Sequence, residues 1–123
     1  MRIVVHDGIG DLADDIAAIP PRAQLDFADV VRSNAYKGNR IARDFAKQSA
    51  GKHGKLYPRS FSTESRSLTS WEYGPDSSMP QGGMSFEYGS RNQKPHLDLN
   101  KSADIIGPQF AKDVGDVIDG LFW

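Results

Sequence analysis

The chain contains no cysteine among its 123 residues. That excludes disulfides, thiolate metal sites and cysteine nucleophiles, and it fits a reducing compartment. Long hydrophobic runs are also missing. None approaches the roughly 20 apolar residues that a bilayer-spanning helix needs, so no contact with a membrane is expected. The opening stretch MRIVVHDGIGD has only a short apolar run before its acidic residues and does not read as a signal peptide. An excess of positive charge is lacking too: at a formal net charge of -1, no overall field draws the chain to nucleic acid, which leaves only local patches. Hydrophobic residues make up 38%, somewhat below the usual globular share. The length suits one domain, residues 1–123, with one modest core.

Catalytic signatures are equally scarce. His6, His53 and His96 have no second ligand at a metal-binding spacing such as HExxH. The serines of STESRSLTS lack the glycines of a nucleophile elbow, and GGMSFEYGS matches neither GxxxxGK[ST] nor GxGxxG. Glu72 and Glu87 could pair for acid–base work, but nothing else in the sequence supports a glycosidase. The reading is therefore not an enzyme, with no catalytic residue, no cofactor and no metal.

What is present is a pattern of elements. RIVV (2–5) reads as a short strand, and Ile9, Leu12, Ile16 and Ile19 are spaced for a short helix capped by Asp7 or Asp11. Pro21 suits the first turn of a long helix running to about Gln48. Its apolar stripe is Phe27, Val31, Ala35, Gly38, Ile41, Ala42 and Phe45, widened by Val30 and Tyr36. Gly38 marks either a close contact or a kink, and Gly51 or Gly54 ends the helix. SFSTESR (60–66) reads as a strand.

Two further stretches, SLTSWEYG and GMSFEYG, repeat Glu-Tyr-Gly after an aromatic residue. They read as paired strands, with Thr69, Trp71 and Tyr73 on one apolar face and Met84, Phe86 and Tyr88 continuing it, while Glu72 and Glu87 point away. The loop 75–83 is longer than a hairpin needs. It reads as a contact arm carrying Met79 and Gln81, or else as a surface loop without a partner. A last helix carries Ile106, Phe110, Val114, Val117 and Leu121, and Pro108 either starts it or kinks it. The order gives an α+β fold, a small antiparallel sheet packed against a long amphipathic helix and a C-terminal helix.

Lys37, Arg40, Arg43 and Lys47 lie along one side of the long helix, and Lys52, Lys55, Arg59 and Arg66 follow. Two readings stay open. One is a solvated face with an Arg40–Asp44 pair; the other is an electrostatic contact with nucleic acid or an acidic partner.

Three pieces taken in order, GKLYPRSF (54–61), FEYGS (86–90) and KPHLDLNKSA (94–103), resemble the tail-completion, or neck, proteins of long-tailed bacteriophages. The likeness covers roughly residues 21–122 and leaves 1–20 outside it. Pro58 within the first piece and the polar Pro95-His96 step depart from the family pattern. The resemblance implies a virion protein of the head–tail junction, made in the host cytoplasm. It would form a six-fold ring of identical subunits between a neck or connector protein and the tail terminator or tail-tube protein, with contact to DNA in the channel. It makes Glu87 a subunit contact, and Arg59, Met79, Gln81, Lys37, Arg40 and Arg43 complete the expected interface. The alternatives are a tail terminator capping the tube and, in another class, a nucleic-acid-binding accessory protein using the basic helix face.

Overall fold

Proline and glycine mark the two ends of the longest element. Pro21 opens α1 (Pro21–Ser49), where its fixed φ fits and its missing N–H is not required. At the other end the Ala50 amide donates to the Ala46 carbonyl (2.8 Å), and Gly51 takes the left-handed conformation at φ +65°. The computed structural model describes residues 2–6, 21–51, 54–82, 87 and 97–122. The buried stripe of α1 is Ala23, Phe27, Ala28, Val31, Asn34, Ala35, Gly38, Ala42 and Ala46. Ile41 and Phe45 are half-buried, and Tyr36 faces outward.

Three strands form one antiparallel sheet, β1 (Ile3–His6), β2 (Phe61–Ser67) and β3 (Ser70–Pro75), in the order β1-β3-β2. A 3-10 turn, Pro58–Ser60, leads into β2, and the pairing of β2 with β3 is irregular between Ser65 and Ser67. Alternation puts Val5, Phe61 and Tyr73 into the core and leaves Glu64 and Glu72 on the other face. Those two carboxylates are direct cross-strand partners, an unfavourable placement for like charges. Arg2 offsets it: Nε lies 3.6 Å from Glu72, Nη1 lies 4.0 Å from Glu64, and Nη2 donates to the Ser62 carbonyl at 2.7 Å.

Helix α2 (Asp98–Phe122) runs antiparallel to α1, with Asp98 beside Ser49 and Asp113 beside Asn34. It begins at Asp98, so Pro108 neither opens the helix nor stops it. Pro108 sits on the exposed side, next to exposed Gly107, where a missing helical hydrogen bond faces solvent. The core lies between α1 and the sheet and is closed at one end by Tyr57, Phe61 and Leu99. At its centre Tyr73 packs onto Gly38. A Cβ at position 38 would stand 2.6 Å from the tyrosine ring, so the glycine serves a close contact and not a kink.

The α+β class is as the sequence indicates, and the expected second half of the hairpin is corrected. Both edges of β3 are taken, one by β1 and the other by β2, which leaves no edge of β3 for the partner strand expected after the loop. Glu87 is helical, not extended. Met84, Phe86 and Tyr88, the short helix expected before Pro20, and His53 and His96 lie outside the described residues.

Candidate functional site

Helix α2 starts at a position that cannot cap itself. Leu97 precedes it, held in the left-handed region at φ +56°, and its carbonyl accepts the first helical bond, from the Lys101 amide (3.0 Å). Its side chain offers no acceptor for the free amides of the first turn. Glu87 supplies one. Oε1 accepts the Leu99 amide at 2.8 Å, Oε2 accepts the Asn100 amide at 3.3 Å, and the Glu87 carbonyl accepts the Leu97 amide at 3.1 Å. A carboxylate at a helix N-terminus also meets the positive end of the helix dipole. The glutamate is only 1% exposed. The outward subunit contact expected of Glu87 is therefore corrected: its carboxylate is directed inward and engaged by the backbone of its own chain.

A second buried acid adjoins it. Asp98 is 0% exposed and accepts the Ser49 hydroxyl, which lies 3.1 and 3.0 Å from its two oxygens. Burial pushes the Tyr57 phenol far above its ordinary value, and the negative charges of Asp98 and Glu87 add to the push, as does a hydrogen bond to Asp98. Burial also raises Tyr73, opposed by its hydrogen bond with Ser102 (2.7 Å). This cluster ties three parts of the chain together: the end of α1, the turn before β2 and the start of α2. With both carboxylates closed from solvent, its chemistry is that of an anchor. Among the described residues there is no group of three or more side chains able to hold a metal ion, and no helix long and apolar enough to cross a membrane.

The surface carries two unlike sides. On the β2 side a shallow groove between α1 and β2 is lined by Tyr36, Lys37, Asn39, Arg40, Arg43 and Thr63, among others, with no carboxylate in its lining. Among the described residues Lys37, Arg40 and Arg43 enter no ion pair, and the expected Arg40–Asp44 pair does not form. Tyr36 is 53% exposed, and its ring tilts against Trp71 with centroids 5.6 Å apart. On the β1 side, Ile3, Val5, Ile106 and Phe110 line a smaller apolar groove against α2. The second helix carries exposed Asp104, Asp116 and Asp119, and its last turn has no basic residue. Asp116 pairs with Lys112 at 2.9 Å. The Asn34 amide, 3.0 Å from the Asp113 carboxylate, holds that acid below the usual carboxylate range, with Gln109 assisting.

The remaining expected contact residues are spread out. The loop after β3 is not a free arm. The Asp76 amide donates to Ser60, the Met79 amide to Asp76 and the Gly82 amide to Met79, so the chain folds back in successive turns. Gln81 is half-buried, and its side-chain oxygen accepts the Leu56 amide at 2.8 Å. Met79 is 45% exposed at the tip, and Arg59 is exposed on the 3-10 turn. Thus Lys37, Arg40 and Arg43 come together, Met79 and Arg59 stand apart from them, and Glu87 and Gln81 act within the chain. Asp98, Ser49, Tyr57 and Asn34 escaped sequence reasoning. An acid ahead of an apolar period is a helix-start signal that pointed to Asp98; Asn34 gives none. No family model, no curated protein and no solved structure matches the chain.

Proposed function

We propose that the chain is a structural protein of the head–tail junction of a long-tailed bacteriophage, one subunit of a ring that joins or completes the tail. The observation that carries this reading is the difference between its two sides. A ring closed by heterologous contacts needs two unlike surfaces on each subunit. The sheet order sets β1 and β2 at opposite edges. Exposed cations on α1 flank one edge, and the apolar groove and the acid-rich outer surface of α2 flank the other. The sequence pieces GKLYPRSF, FEYGS and KPHLDLNKSA support the neck-protein family. With Glu87 serving as an anchor, subunit contacts fall to the two sides and to Met79. A tail terminator at the same junction needs the same unlike sides and is the closest variant of this reading.

The test is assembly. Particles made without the chain should accumulate as filled heads and separate tails, and adding the purified protein should join them. Infectious virions formed normally in its absence, with none of the chain in wild-type particles by mass spectrometry, overturn the reading.

A further inference from the structure

We propose that the groove between α1 and β2 binds single-stranded nucleic acid, with phosphates on Lys37, Arg40 and Arg43 and a base against Tyr36. This goes beyond the role in the ring and stands on separate observations. Lys37 and Arg40, and Arg40 and Arg43, are each three residues apart on one helix, so neighbouring cations repel along one face. The exposed Lys112 of α2 is neutralised by Asp116, and Lys37 feels the Asp113 carboxylate across the helix pair, but Arg40 and Arg43 enter no ion pair among the described residues. A bound polyanion removes the repulsion.

Two features favour a nucleotide strand over an acidic protein segment. Tyr36 stands beside the cations with its ring half exposed and braced on Trp71, a platform for an unstacked base. Asn39, in the same lining, has its side-chain oxygen buried without a hydrogen-bond donor. A base amine can supply that donor, and a carboxylate cannot. Thr63 on β2 lines the same groove, and its hydroxyl is a neutral donor available to a phosphate oxygen. A duplex keeps its bases stacked and offers nothing to Tyr36, so the geometry selects single strands.

The experiment is fluorescence anisotropy of the purified chain with a labelled single-stranded oligonucleotide of about 16 residues, matched to common site sizes. A duplex of equal length and poly-glutamate serve as competitors. Three neutralised phosphates give a slope of about -2 in log K against log salt, or roughly a 20-fold loss between about 50 and 200 mM. Arg40→Glu with Arg43→Glu should abolish binding, and Tyr36→Ala should weaken it by about 5-fold or more while leaving the salt slope unchanged. All three positions are exposed, so the melts of these variants should match the parent, and a melt that shifts is answered by the milder Arg40→Gln with Arg43→Gln pair. No binding at low salt, equal binding by poly-glutamate, or full binding by the charge-reversed pair overturns the proposal. Equal binding of the duplex overturns the base-stacking part and with it the assignment to single strands.

Discussion

Helices α1 and α2 lie side by side in opposite directions and are held by opposite means. The first is held by closeness. Five of its buried residues are alanines, Gly38 lets the Tyr73 ring approach the backbone, and Phe27 is the largest fully buried side chain among its described residues. The second is held by polar anchors: Glu87 on its first amides, Asp98 on Ser49, Ser102 on Tyr73 and Asp113 on Asn34, with Leu99 and Ile106 as the large buried apolar groups among its described residues. Two helices of similar length thus depend on different physics. The first should respond to changes of volume, the second to changes of hydrogen bonding and charge.

The comparison breaks most sharply at Tyr73, which serves both helices. Tyr73→Ala should cost about 3–5 kcal/mol in denaturant unfolding, since it empties the space against Gly38 and takes the phenol from the Ser102 oxygen, which keeps only its bond to the Leu99 carbonyl. A loss under about 1 kcal/mol would show that the sheet does not hold α1 through this ring. Next comes Glu87→Ala. It leaves the Leu99 and Asn100 amides without an acceptor and should cost about 2–3 kcal/mol. Hydrogen exchange sharpens that result: protection should fall at the first turn of α2 and hold in the middle of α1. Uniform loss in both helices would mean that the cap is not local.

A smaller effect belongs to α1. Gly38→Ala removes a poor helix former yet drives a methyl into the Tyr73 ring, and the net cost should be about 1–2 kcal/mol. In a Tyr73→Leu background the same change should cost less, and equal costs in the two backgrounds would deny the contact.

The smallest effect at neutral pH is Tyr57→Phe, at about 1 kcal/mol. Its signature is alkaline. Folding holds the Tyr57 phenol above its ordinary 10.0, so the unfolded chain gives up that proton first. The stability it contributes is whole below pH 10 and falls as the pH rises beyond it. Melts between neutral and strongly alkaline pH should show the fall in the parent and a shallower one in Tyr57→Phe; parallel curves would remove Tyr57 from the cause.

Legibility in the sequence follows the same division. Packing that repeats every three or four residues declares itself, so the α1 stripe, its Pro21 start and its glycine end could be read directly. Polar anchors do not repeat. Glu87 sits in a stretch whose alternation matches a strand as well as any other in the chain, and the amides its carboxylate accepts lie 12 and 13 residues further on, behind a leucine that gives no capping signal. The placement of β3 between β1 and β2 was equally hidden, because a strand's own pattern does not say which neighbours reach it first. The basic residues were visible; that they share a groove free of carboxylates depends on where β2 runs.

Arg2 carries a consequence in time. Its guanidinium reaches Ser62, 60 residues later, and β1 pairs with β3 beyond that. During synthesis the first strand leaves the ribosome long before either partner exists, and all of α1 is made in between. The strand must wait as an unpaired edge, short and with Arg2 beside it, features that discourage pairing with other chains. Closing so long a loop is slow, so the sheet should be completed after α1 and the β2–β3 hairpin have formed. A bulky extension placed directly before Arg2 would then act chiefly on the rate of folding and on the yield of soluble protein, with little effect on the stability finally reached.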